Sequence, residues 1–235
     1  MTVLTIGAIC ARGGSKGVPR KALRALAGKS LLAHTITCAR ACPSLDRIIV
    51  STDDDEIAEN AVRAGAEVPF IRPGHLALDT SPKWPVFRHL VESYERLSGS
   101  SIGVLVDLDI GVPLRQPVDV ESCLARLRET AIDVVTTAYI AERNPYFNMV
   151  EVDADGWAHI SKPPSQPISR RQDAPPVYSL SPAVFAVRRD VLWACEHWSQ
   201  ARFAIHVMPR ERAVDIDTEV DYRLVESLWA AKIPC

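Results

Sequence analysis

The segment RGGSKGVPRK, Arg12 to Lys21, places Gly13, Gly14 and Gly17 among four cations, Arg12, Lys16, Arg20 and Lys21, directly after an apolar run. Glycines let a backbone approach an anion closely, and successive N–H groups in such a turn form an anion-binding concavity. A simple turn does not need four positive charges. Their density points to a triphosphate, with Arg12 and Lys16 set to neutralise charge on departing phosphates. The spacing matches neither GxGxxG nor GxxxxGK[ST], so dinucleotide and P-loop readings lose support. The plain alternative is a glycine-rich turn that binds nothing.

Two further groups of acids carry possible chemistry. In VDIDTEVD, Asp215 and Asp217 fall on one side of an extended segment just before a helix start. Mg²⁺ is commonly held by one or two carboxylates plus substrate phosphates, which suits this pair. Otherwise Asp217 is a helix-start acid and Asp215 a solvated loop residue. In VDLDIGVPLR, Asp107 and Asp109 alternate along an otherwise apolar strand. Burying unpaired carboxylates is expensive, so both belong where the strand meets a crevice. There they either assist a metal or anchor neighbouring backbone N–H groups.

The elements that must position these residues alternate along the first two-thirds of the chain. TVLTIGAI, RIIVS, IGVLVDL and DVVTTAY read as buried strands. KSLLAHTITCARA, DDEIAENAVRAGA, SPKWPVFRHLVESYERL and VDVESCLARLRET read as the helices between them. This order predicts an α/β fold with a mostly parallel sheet and helices on both faces. Ligands of such folds bind at the carboxyl ends of the strands, where the basic loop and both acidic segments lie. From about 140 to 180 the alternation stops in favour of proline and polar residues around a hairpin-like VDADGWAHI. So long a stretch reads as an inserted arm that packs on something, such as a second subunit. AVFAV and FAIHVM resume as strands, and TEVDYRLVESLWAAK closes as a helix with Thr218 and Asp221 as an approximate capping box.

Composition bounds the rest. The 235 residues, 47% hydrophobic, suffice for one large domain with an insertion, taken as 1–235. The net charge of −2 argues against a nucleic-acid partner, so any recognition of anions is local. The six cysteines form no CxxC pair and read as free thiols of a reducing cytoplasm. No apolar run is long enough to span a membrane, and no signal peptide is visible.

In this order, ARGGSKGVPRK, IIVSTDDDEIAENA, AEVPFIRP, LALDTSP, PLR, RRQDAPPVY and DIDTEVDY resemble the acylneuraminate cytidylyltransferase family over nearly the whole chain. NPYFNMVE is closer to the legionaminate branch. The resemblance implies a Rossmann-like nucleotidyltransferase that uses Mg²⁺ to join CMP from CTP to a sialic- or legionaminic-type acid. It implies a homodimer built through the arm. It matches Ala11, Arg12, Gly13, Gly14, Ser15, Lys16 and Lys21 to the triphosphate loop, and Arg72, Thr80 and Ser81 to cytosine and ribose contacts. Asp215 and Asp217 match the metal pair, and Arg171 the region near the acceptor's carboxylate. Arg12, Lys16, Lys21 and Asp217 are the catalytic candidates. On the acceptor side the candidates are Ala22, Asp109, Gly111, Arg115, Arg171 and Ser181.

Three of these depart from the family pattern. Ala22 stands for an asparagine, Gly111 and Val112 for hydroxyl residues, and Ser181 for another asparagine. A buried hydroxyl left without its partner costs about 1–3 kcal/mol. The nucleotide half is thus kept while the acceptor half is altered. The acceptor is then either an unusual nonulosonic acid or a compact acid such as a phosphonate held mainly by Arg171. A catalytically silent nucleotide-binding subunit is the reading from another class. A general base is left open between a metal-bound water, Asp109 and none.

Overall fold

The computed structural model describes residues 3–15 and 17–231. Its elements are β1 (Val3–Cys10), β2 (Ala25–Leu26), β3 (Lys29–Ser30), α1 (Leu31–Arg40), β4 (Arg47–Ser51), α2 (Asp55–Ala64), α3 (Lys83–Ser98), β5 (Ser101–Asp107) and α4 (Pro117–Leu127). They continue as β6 (Val134–Ile140), β7 (Val150–Val152), β8 (Ala158–Ile160), β9 (Tyr178–Arg188), α5 (Val191–Ala194), β10 (Phe203–Val207) and α6 (Glu219–Ala230). The central sheet has the order β10-β6-β9-β5-β1-β4. Its pairs are parallel except the two made by β9, which runs antiparallel between β5 and β6. The mostly parallel sheet expected from the alternation is therefore observed, interrupted by the strand that returns from the insertion.

Each face of the sheet is sealed by helices, which is why its strands are apolar on both sides. Ile9, Val50, Val106 and Val135 pack with Leu32 and Ile36 of α1, Ile57 of α2 and Val120 and Leu124 of α4. On the opposite face Ile6, Ile49, Leu105 and Val134 meet Trp84, Phe87, Leu90 and Val91 of α3 with Leu192 of α5. The helix signals read from the sequence hold. Asp54 accepts from Ile57 N as the N-cap of α2, and Gly65 ends that helix at φ 90°. Thr218 and Asp221 form the full capping box of α6. The five cysteines among the described residues are free, and Cys235 lies outside them. Among the described residues no helix is long and apolar enough to cross a membrane.

The insertion is not structureless. β7 and β8 pair antiparallel, with Gly156 at φ 88° in the connecting turn. Val150, Val152 and Trp157 of this hairpin are exposed.

A buried polar node ties the start of α4 to the approach to the acidic segment. Asp119 is fully buried in α4 and accepts from Gln116 N at 2.9 Å and from Arg212 NH2 at 2.9 Å. Arg212 also donates to Gln116 Oε1 at 2.9 Å, and it lies three residues before Asp215. Removing one partner of a buried ion pair strands the other charge. Asp119→Ala should cost about 3 kcal/mol, a fall of roughly 6 to 12 °C in melting temperature for a chain of this size. A fall smaller than roughly 2 °C by calorimetry would show that Asp119 does not anchor the segment.

Candidate active site

The basic loop leaves β1 and is tied to the end of the neighbouring strand β4. Ala11 N donates to Ser51 O at 3.0 Å, and Gly13 N to Asp53 Oδ1 at 3.2 Å. At Gly17 a side chain is excluded outright, since a Cβ there would stand 2.1 Å from Asp217 O. Lys21 completes this junction by donating to Ile216 O at 2.6 Å, with its ammonium 3.4 Å from Asp217 Oδ1. The first basic motif and the last acidic motif, almost two hundred residues apart, are therefore one structure.

A cavity of about 520 Å³ opens beside this junction and is lined by Arg12, Ser15, Gly17, Lys21, Arg72, Ser81, Lys83, Asp109 and Asp217, among others. Arg12 is paired with Asp79 at 2.6 Å on its wall. Arg72 is nearly fully buried, with NH2 3.6 Å from Asp53 Oδ1. Its Nε and NH2 find no hydrogen-bond partner among the described residues. A buried guanidinium with unmet donors on a cavity wall is suited to a polar ligand. Ser81 shapes the wall by accepting from Leu78 N and donating to His75 O. Cys10 also faces the cavity, but burial pushes its thiol far up, so it is no thiolate nucleophile.

The carboxylates crowd together at the inner end. Lys83 Nζ lies 2.8 Å from Asp107 Oδ2 and 2.9 Å from Asp109 Oδ2. Burial would lower the Lys83 pKa, but the two acids overcome that and raise it well above the ordinary lysine value. Burial pushes the Asp107 carboxyl up against the pull of Lys83. For Asp109 burial is outweighed by Lys83 and the Gly111 N–H, which hold its pKa at about 2. So acidic a group is a poor general base at neutral pH, which removes one of the options left open above.

Asp215 is the opposite case. Burial, and then the charge of Asp109, raise its pKa to about 6. Its Oδ1 is buried with no hydrogen-bond partner among the described residues. Asp215 and Asp109 converge on the same side of Gly111, where a Cβ would stand 2.1 Å from Asp215 Oδ1 and 3.3 Å from Asp109 Oδ1. Ile216 N donates to Gly111 O at 2.9 Å and fixes this register. Among the described residues no cluster of three or more His, Cys, Asp or Glu is arranged to hold a metal. An orphaned, desolvated carboxylate oxygen beside a second carboxylate nonetheless fits a divalent cation that takes its other ligands from phosphates.

Several expectations are relocated. Arg20, counted with the phosphate cations, sits at φ 53° and bonds instead to Asp54 and Glu56, so it anchors α2. Asp217 reaches the cavity but is largely exposed, while Asp215 is half-buried beside Gly111 with its Oδ1 shut from solvent. Gly111 thus makes room for the carboxylates, which is the use the structure shows for its missing side chain. Ala22 is wholly buried in the core. Arg115 is a strut, donating to Asp109 O at 3.0 Å and Ala183 O at 2.6 Å. Arg171 is exposed on the arm, bonded to Ala141 O, and lines no part of the cavity. Thr80 is exposed off the cavity wall. Ser181 is buried, its hydroxyl donating to Ala213 O. Gly14 has open space around it, and Lys16 lies outside the described residues. Lys83 was missed by sequence reading. A cation opening a helix is disfavoured by the helix dipole, and that was the available signal.

Comparison with known proteins places the chain in a family. The cytidylyltransferase family model matches residues 6–189. Flagellin modification protein B of Campylobacter coli is 36% identical over 95% of this chain and 94% of its own length. The CMP-N,N′-diacetyllegionaminic acid synthase of Legionella pneumophila is 30% identical over 97% of this chain and 96% of its own. CMP:2-keto-3-deoxy-manno-octonic acid synthetase, solved with CTP, superposes with a TM-score of 0.70 at 21% identity, covering 98% of this chain and all of that one, which supports the fold. The chain therefore belongs to the cytidylyltransferase family and is a CTP-dependent nucleotidyltransferase.

Proposed function

We propose that the enzyme transfers CMP from CTP to an organic acid of the nonulosonic class, releasing pyrophosphate. The observation that carries this reading is the meeting of the basic loop with the acidic segments at one cavity, lined by Lys21, Asp109 and Asp217 with Asp215 packed beside Gly111 next to it. A nucleotide-binding subunit without chemistry has no use for a desolvated carboxylate oxygen with no partner. The reading is supported by relatives named as synthases of CMP-linked acids.

In this mechanism an acceptor oxygen attacks the α-phosphorus in line with the departing pyrophosphate, and its proton passes to solvent. Arg12 and Lys21 balance the charge that builds on the leaving group. Arg72 offers its free N–H groups to the nucleotide. Asp109 and Asp215 would hold Mg²⁺, with Asp217 at the rim. When bound, the ion supplies charge neutralisation of the phosphates and a lowered pKa for the acceptor hydroxyl. Lys16, Ser15 and the loop N–H groups complete the triphosphate site. The chain forms one catalytic domain, and its arm at about 140–180 pairs two copies through exposed Val150, Val152 and Trp157. It acts in the cytoplasm with its thiols reduced.

Two measurements test this. Pyrophosphate release from CTP and Mg²⁺ should occur with N,N′-diacetyllegionaminic acid or N-acetylneuraminic acid. Turnover of 2-aminoethylphosphonate alone would favour the small-acid reading, and release with no acid at all would leave the reading without support. Second, Asp215→Asn should lower kcat by roughly 100-fold or more, equivalent to about 2.7 kcal/mol, whereas exposed Asp217→Asn should lower it roughly tenfold. Near-wild-type turnover of Asp215→Asn would refute the assignment.

A further inference from the structure

Asp107 and Asp109 meet at one point, and a lysine fills it. Lys83 Nζ lies 2.8 Å from Asp107 Oδ2 and 2.9 Å from Asp109 Oδ2, both charge-assisted hydrogen-bond lengths. Asp107 is buried, and its Oδ1 has no hydrogen-bond partner among the described residues, so Lys83 is the contact that meets its charge. Asp109 Oδ1 is turned instead to Gly111 N, on the side where Asp215 stands. One carboxylate thus faces two places for positive charge: the ammonium on Oδ2, and the Mg²⁺ site proposed beside Asp215 on Oδ1. Phosphoryl-transfer sites with two metal ions hold them about 3.5–4 Å apart and clamp the attacking and leaving oxygens between them. Asp109 is placed as the carboxylate between two such cations, one of which this chain carries itself.

The helix does not account for a cation here. Lys83 is the first residue of α3, Pro82 before it gives no side-chain cap, and no acid lies in the first turn. A positive charge at that end opposes the helix dipole. The two carboxylates outweigh the cost, while half of the Lys83 side chain stays open at the cavity lined by Arg12, Lys21 and Asp217. An ammonium has three N–H donors, so one is left for a ligand. We infer that Lys83 occupies the place of a second divalent ion: its ammonium bridges Asp107 and Asp109 as such an ion would, and its remaining N–H serves the phosphates in the cavity. The enzyme then needs a single divalent ion, the one proposed at Asp109 and Asp215. The inference rests on the proposed reaction for the identity of the phosphates, and its test reads ion binding instead of turnover.

Removing the lysine should open its place to a metal. Mn²⁺ is titrated into the enzyme with CTP, and free ion is followed by electron paramagnetic resonance. Lys83→Met should bind one more Mn²⁺ per chain than the wild type. Lys83→Arg keeps a cation between the acids and should show no gain. In Lys83→Met with Asp107→Asn the extra ion should be lost, because one of its two carboxylates is gone. Melting curves cover the case in which Lys83→Met is barely folded. Saturating Mn²⁺ should raise its melting temperature by roughly 5 °C more than it raises that of the wild type, since the extra ion binds only the folded chain. A plain structural ion pair would leave Lys83→Met destabilised, with no extra ion and no extra rescue by Mn²⁺. That result, or a wild type that already binds two ions, would overturn the inference. If the wild type binds no ion and Lys83→Met binds one, the place of Lys83 stands and the Mg²⁺ site assigned to Asp109 and Asp215 is wrong.

Discussion

The site is organised by the repulsion among desolvated carboxylates at the carboxyl ends of the strands. Asp107 ends β5, Asp109 follows in the next turn, and Asp215 arrives from the far end of the chain to press on Gly111. Like charges brought together out of water must be compensated or protonated. Lys83 compensates the first two and Lys21 lies near the third, yet Asp215 is left short of positive charge, with its pKa raised to about 6. On the reading proposed above, a divalent ion held by Asp109 and Asp215 would offset that imbalance, with Arg12, Lys21 and the loop set to take the phosphates. Charge crowding thus links the two ends of the sequence to one substrate.

Scaffolding devices hold the crowding in place. Ile216 N on Gly111 O fixes the acidic segment beside the β5 turn. Gly17 lets the basic loop touch Asp217 O. The Asp119–Arg212–Gln116 node fixes the chain three residues before Asp215. Arg115 braces Asp109 O against Ala183 O. Each of these sets the position of a charged group at or beside the cavity.

The fold was legible because hydrophobic period and capping residues act locally. The strands ending at Cys10, Ser51 and Asp107 and the capping box of Thr218 follow from neighbouring residues alone. The loop and the acidic motif were legible as chemistry because charge so dense at strand ends has few structural uses. Partnership was not legible. Nothing in the sequence near Arg20 says that it will fold back on Asp54, or that Lys83 will find Asp107 and Asp109. Gly111 read as a missing hydroxyl because the carboxylate that requires a glycine there lies about a hundred residues away.

The claim that the carboxylate cluster is completed by a divalent ion is tested most directly by titrating Mn²⁺, a paramagnetic stand-in for Mg²⁺, into the enzyme with CTP and following free ion by electron paramagnetic resonance. The account predicts one ion bound per chain, lost in Asp215→Asn with CTP still bound through the loop and Arg72. Undiminished Mn²⁺ binding by Asp215→Asn would contradict it.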